Sequence, residues 1–254
     1  MHRIGTAGWS VPGKLKSEGT HLHRYSQALT CVEVNSSFYR SHRAATWRKW
    51  NEETPEGFRF SIKAPKAITH TARLLNTQPL LNAFFEEIRP LGEKRGPIFF
   101  QLPPSLKFDS KVAEEFLATL RKLYQAEAVL EPRHSSWFNA DANALLQKYK
   151  ISRVAADPPQ GAVEASEPAG DTDFVYYRLH GSPRLYYSSY DHDYLAALAA
   201  KLASQKHSWV IFDNTASASA YENALELQAI ANQRALETNT SQPLSASGAR
   251  DREI

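Results

Sequence analysis

The chain has 254 residues, 42% of them hydrophobic and 22% charged, with a net charge of +3. That balance fits a soluble globular protein with a sizeable core, and at this length one or two domains. The single cysteine, Cys31, excludes a disulfide framework and a cysteine-based zinc site. The mild positive charge, without a long Lys/Arg block, neither demands nor rejects an anionic partner.

In chain order, the start "MHRIGTAGWS" has no apolar leader and no later run approaches a membrane span, so a cytoplasmic location is expected. "RIGTAG" (3–8) reads as a first strand, followed by a weak helical pattern over 14–29. "TCVEVN" (30–35) is a second strand, and 42–53 a helix with Trp47 and Trp50 three apart. "FRFSIK" (58–63) alternates as a strand, and 79–91 spaces Leu80, Leu81, Phe84, Phe85 and Ile88 as a helix. "PIFFQL" (97–102) precedes a helix over 110–124, capped by Asp109 or Ser110. "AVLE" (128–131) precedes a helix over 139–149. After "SRVAAD" (152–157), the stretch 158–172 holds no helical pattern and reads as a loop. "FVYYRLHG" (174–181), a helix over 191–205, "SWVIFDN" (208–214) and a helix over 217–236 complete the set. From Glu237 onward Ser, Thr, Asn and Pro without apolar period predict a disordered tail, leaving one domain over 1–236.

Eight strands alternating with helices point to a parallel sheet with right-handed crossovers. At about this length the natural closure is a (β/α)8 TIM barrel in a single domain, with a doubly wound open sheet as the alternative.

In such a barrel alternate residues face inward. The alternation puts Glu33 and Asn35 inside, then Ser61 and Lys63, Phe99 and Gln101, Val129 and Glu131, and Tyr176, Arg178 and His180. For "SRVAAD" it puts Arg153, Ala155 and Asp157 inside, and on the last strand either Asp213 or Asn214. Six strands thus end on an inward polar group: Asn35, Lys63, Gln101, Glu131, Asp157 and His180. They end at the face where barrel enzymes build their sites. Blander readings hold for some of them. Arg59 and Arg153 sit at strand starts, as rim or ion-pair residues. Glu33, one layer deeper, reads as a buried partner of Lys63 or Arg178. His134 reads as a cap of the next helix or a rim residue, and Asp157, before "PP", as a turn residue.

The pieces "IGTAGWS", "VEVNSSFYR", "FRFSIKAPKAITH", "FFQLPPSLKFD", "VLEPRHSSWF", "YYRLHGSP", "YDHDYL" and "VIFDNTASASAYENAL" run in order from Arg3 to Ile230. Together they resemble the YecE-like family, DUF72, TIM-barrel proteins of undefined activity. The resemblance implies the barrel and marks Asn35, Phe38, Tyr39, Lys63, His70, Gln101, Glu131, Arg133, Trp137, Arg178, His180 and Asn214. "FDNT" departs from that family's "FNNT", with Asp213 where the pattern has asparagine.

The leading chemistry is an enzyme acting on a small polar or anionic ligand at the C-terminal mouth. Glu131 would act as general acid or base with His180 as its partner, while Lys63 and Arg178 hold an anionic, phosphate-like group. Lys63 as a Schiff-base amine ranks below anion binding, because Glu33 and Glu131 would keep it charged. Tyr39, His70, Arg133, Trp137, Asn35, Gln101, Asp213 and Asn214 would line the substrate. On this reading Glu131→Gln keeps the fold. Metal-assisted or glycoside hydrolysis, a lyase, and a non-catalytic ligand-binding barrel remain alternatives. The loop "RLYYSSY" reads as a flap carrying Tyr186, Tyr187 and Tyr190, and "NTASASA" as a helix start with free N–H groups. No cofactor or metal is implied. Nucleic acid binding has no supporting motif, and the oligomeric state is left open.

Overall fold

The structure is a computed structural model and describes residues 2–12 and 18–240. The expected strands appear as β1 (His2–Ala7), β2 (Cys31–Val34), β3 (Arg59–Lys63), β4 (Arg95–Gln101) and β5 (Ala128–Glu131). They continue with β6 (Ser152–Arg153), β7 (Ala155–Asp157), β8 (Ala169–Gly170), β9 (Val175–Leu179) and β10 (Ser208–Phe212). Their order in the sheet is β7-β9-β10-β1-β2-β3-β4-β5-β6-β8. Every pairing is parallel except that of β6 with β8. β6 and β7 are two halves of one segment broken at Val154. The first half pairs with β5 and the second with β9, so this segment closes the ring.

Helices α1 (His21–Ala28), α2 (Ser36–Tyr39), α3 (Ala44–Glu53), α4 (Gln78–Ile88), α5 (Ser110–Leu123), α6 (Ala140–Lys148), α7 (His192–Ala203) and α8 (Ser219–Thr240) wrap the outside. Asp109 caps α5, its carboxylate accepting from the Lys111 and Val112 N–H groups. Outward residues such as Val32, Phe60, Ile62, Phe100 and Leu130 pack under these helices in one large core. Each such burial contributes roughly 1.5–3 kcal/mol. A second core fills the barrel with Cys31, Phe99, Val129, Val154, Phe174, Tyr176, Trp209 and Ile211. Tyr176 stacks between Phe99 and Trp209 at 6.0 and 6.2 Å. Chain alternation therefore builds an aromatic floor with a polar layer above it.

Three expectations need correction. The phase of "SRVAAD" is inverted. Ala155 lies opposite Tyr177 and Asp157 opposite Leu179, so both face the helices, and Ala156 shares the inward side with Arg178. Two alanines carry no phase information, and Arg153 faces out because its guanidinium donates to Asn143 and to the Glu164 and Glu167 carbonyls. The 158–172 stretch is not wholly loop, since it holds a 3-10 turn (Val163–Ser166) and β8. The expected tail from Glu237 begins as helix, because α8 continues to Thr240; positions 241–254, like 14–17 of the weak first helix, lie outside the described residues. Among the described residues no helix is long and apolar enough to cross a membrane.

Candidate functional site

Arg178 on β9 is fully buried at the centre of the polar layer. Its Nε and Nη2 donate to the two oxygens of Glu33 at 3.0 and 2.9 Å. Its Nη1 donates to Glu131 Oε2 at 2.9 Å, and Nη2 also reaches Asp213 Oδ2 at 2.9 Å. Three carboxylates from β2, β5 and the end of β10 thus wrap one guanidinium. Burial pulls the Arg178 cation down, but these carboxylates outweigh it and hold the charge. Below them the Tyr176 hydroxyl bridges Glu33 and Ser61.

Glu131 has no free oxygen. Oε1 accepts from Gln101 Nε2 at 3.0 Å and Arg133 Nε at 2.7 Å, while Oε2 holds Arg178. Burial pushes its carboxyl up, but the Arg178 and Arg133 cations more than reverse this and keep it ionised below the usual range. This geometry does not suit the general acid or base expected of Glu131, whose oxygens are both engaged in the buried ion-pair network and which does not line the cavity. Glu131→Gln is therefore expected to destabilise, by about 2–4 kcal/mol, because it leaves Arg133 and Arg178 short of charge. The melting temperature should fall by roughly 5–15 °C. An unchanged melting curve would restore the reading in which Glu131 is kept for chemistry alone.

Above the network the mouth opens as a cavity of about 560 Å³. It is lined by Asn35, Tyr39, Lys63, Gln101, Arg133, Arg178 and Asp213, and by Tyr186, Tyr187, Thr215 and Ala216. Seven expected site residues therefore meet at one place. Asn35 Oδ1 is buried without a partner among the described residues. Lys63 ends β3 with its Nζ 4.4 Å from the Phe38 ring centre and 5.5 Å from that of Phe99. No hydrogen bond or ion pair of its ammonium is found among the described residues, since Arg178 and Arg133 engage the carboxylates. Burial lowers the Lys63 pKa to about 8, Arg178 adds to the effect, and Glu33, Glu131 and Asp213 oppose it.

His180 is buried, with Nδ1 3.0 Å from Asp213 Oδ2 and Nε2 without a partner among the described residues. Burial raises the Asp213 carboxyl, but Arg178, His180 and Lys63 outweigh it and hold it low. Asp213, not Asn214, faces in. Asn214 turns to the loops, where its amide donates to Ser188 O and Asn223 Oδ1. Trp137 also leaves the site: its indole N–H donates to Leu106 O within the outer core. His70 lies edge-on to Phe38 at 5.0 Å, beside the cavity rather than on its wall. His134 is a cap, accepting from the Ser136 N–H.

Of the three tyrosines in the expected flap, Tyr186 and Tyr187 line the cavity and Tyr190 does not. Gly181, at φ 89°, turns the chain after β9 where a Cβ would lie 2.7 Å from Ser188 O. Tyr186 itself has φ 66°, a left-handed conformation that costs a non-glycine residue on the order of 1 kcal/mol. Its ring stands edge-on over His180 at 5.8 Å. Tyr187 carries the Arg184 guanidinium at 4.1 Å, whereas Tyr190 is buried and braces the loop. The free N–H groups expected at "NTASASA" are partly spent, with Ala216 N–H donating to Tyr186 O and Ala218 N–H to Thr215 O. The α8 helix starts only at Ser219.

Comparison places this architecture among known proteins. The family model described as "Protein of unknown function DUF72" matches residues 3–247. The UPF0759 protein YunF of Bacillus subtilis is 30% identical over 203 residues, 71% of this chain and 70% of its own length. The UPF0759 protein YecE of Escherichia coli is 33% identical over 103 residues, a match spanning 41% of this chain and only 38% of that protein. A solved DUF72 structure from Enterococcus faecalis superposes with TM-score 0.78 at 21% identity, covering 100% of both chains. One from Thermotoga maritima gives 0.76 at 24% identity, covering 91% of this chain and 99% of that one. A sugar phosphate isomerase/epimerase from Parabacteroides distasonis shares the fold at TM-score 0.53 and 12% identity, covering 89% and 94% of the two chains. The family-model match over residues 3–247, with a relative 30% identical over 71% of this chain and 70% of its own length, makes this chain a member of the DUF72 family.

Proposed function

We propose that the chain is an enzyme that takes a small anionic substrate into the mouth of the barrel. One observation carries this reading: Lys63 presents an unpaired ammonium to the cavity while Arg178 engages Glu33, Glu131 and Asp213. A cation built into a pocket without its own carboxylate is a binding group for an anion. Arg133, part-exposed above Glu131, supplies a second positive edge. Asn35 and Gln101 orient polar substituents, and Tyr39, Tyr186 and Tyr187 close the rim. Proton transfer falls to His180, oriented by Asp213 through Nδ1 and left with Nε2 to exchange a proton once the Tyr186 ring moves aside.

The geometry supports the hydrolytic alternatives less. Glycoside hydrolysis needs one carboxyl that is protonated, and Glu131 and Asp213 are both held ionised by Arg178. The same guanidinium sits among the carboxylates that would otherwise ligate a metal.

The test is a thermal-shift titration with phosphate and sulfate on wild type and Lys63→Met. A ligand at a hundredfold its Kd stabilises by about 2.7 kcal/mol. Wild type should rise in melting temperature at millimolar phosphate, and Lys63→Met should lose most of that rise. No shift in folded wild type, or an equal shift in the variant, would remove the anion reading.

A further inference from the structure

The cations of the mouth differ in how they are held. Arg133 and Arg178 are fixed on carboxylates. Where this chain uses a lysine as a brace, it saturates it: Lys94 Nζ donates to the Asn51 and Thr54 carbonyls and to Thr54 Oγ1. Lys63 is built the other way. The residue is buried, it lines the cavity, and its Nζ lies over the faces of Phe38 and Phe99. Such surroundings solvate an ammonium poorly and leave the nitrogen open to attack a bound molecule. Its lowered pKa, about 8, agrees with this.

We propose that Lys63 is a nucleophile that forms an imine with a small anionic aldehyde or 2-oxo acid bound in the mouth. This rests on the mouth being an anion site, with Arg133 holding the anionic group. The Nζ lone pair adds to the carbonyl carbon, the π pair goes to oxygen, and the proton shed by nitrogen ends on that oxygen. A second proton, from His180 Nε2 or solvent, lets the hydroxyl leave as water while the nitrogen lone pair forms the C=N bond. Amine, carbonyl and one proton thus become a protonated imine and water, with no change of oxidation state. The Phe38 ring, 4.4 Å from Nζ, stabilises that cation as it does the ammonium. Arg178 disfavours the Lys63 cation, Glu33, Glu131 and Asp213 favour it, and His70 lies edge-on to Phe38.

The experiment is reductive trapping. The folded 254-residue chain is incubated with pyruvate or with glycolaldehyde phosphate, reduced with sodium borohydride, digested and mapped by tandem mass spectrometry. The expected result is one dominant adduct on Lys63, slowed by excess inorganic phosphate, with a rate that rises to a plateau through a midpoint near pH 8. Lys66, on the same segment, should react no faster than surface lysines. Lys63→Arg, checked for folding by circular dichroism, keeps the charge and should lose the adduct. Scattered modification without preference for Lys63, or none with either probe, overturns the proposal. If phosphate still raises the melting temperature through Lys63 while no adduct forms, the anion site stands and the nucleophile falls. If neither effect is seen, both fall.

Discussion

Arg178→Leu is expected to unfold the barrel or leave it barely stable. The substitution strands the fully buried Glu33 carboxylate without a cation, leaves Glu131 with Arg133 alone, and leaves Asp213, at the cavity wall, with His180. Breaking a single buried pair costs on the order of 3–5 kcal/mol, and a domain has only about 5–15 kcal/mol to lose. Lysine should not rescue, because Nε, Nη1 and Nη2 all donate, in directions one ammonium cannot copy. Adding Glu33→Gln and Glu131→Gln to Arg178→Leu should recover much of the loss, since the penalty is uncompensated charge. Urea midpoints by far-ultraviolet circular dichroism read all of these variants. A wild-type midpoint for Arg178→Leu would show that the network carries no stability. The sign with pH follows from the lowered Glu131 and Asp213 carboxyls. Their stabilisation is present above the unfolded values of 4.5 and 3.8 and is lost as pH falls through the folded ones, so acid unfolding begins below about pH 4.

The strand ends were legible in the sequence because their apolar partners fix the phase. "FRFSIK" has Phe58, Phe60 and Ile62 on one parity, which forces Lys63 inward. "SRVAAD" has alanine on both parities, and there the phase reads wrongly. Asp213 and Asn214 differ by one residue, and only register with β9 and β1 decides between them. The pairing within the polar layer was not legible at all. Glu33 was open to Lys63 or Arg178, and the choice depends on strands 145 positions apart in sequence. That choice leaves the Lys63 ammonium without a hydrogen bond or ion pair among the described residues, although Glu33 and Glu131 still favour its charged form. Trp137 shows a different limit: a motif aromatic near charged residues looks the same whether it lines a ligand or, as here, holds the Leu106 carbonyl. The reach of Tyr186 over His180 depends on a left-handed backbone that its own residue type does not announce.

The second large effect concerns Lys63, on which the functional reading rests. A lysine whose folded pKa is about 8 against 10.5 unfolded binds fewer protons in the folded state between those values. Stability contributed by this residue therefore rises as pH climbs from 8 to 10.5, and below pH 8 its charge carries a constant penalty. That penalty is about 3 kcal/mol at neutral pH, so Lys63→Met should be more stable than wild type by up to that amount, and the advantage should vanish near pH 10.5. Comparing the two proteins cancels the other groups, including the buried tyrosines, that titrate in the same range. The measurement that reaches the claim most directly is the titration of the Lys63 side chain itself. Protein carrying carbon-13 lysine is followed by the Cε and Hε shifts from pH 6 to 11, with Lys63→Arg identifying the signal. A single transition near pH 8, moved upward by bound phosphate, is the predicted result. A transition near 10.5 that phosphate leaves unmoved would mean that Lys63 is an ordinary solvated ammonium, and the mouth of this barrel would lose its proposed chemistry.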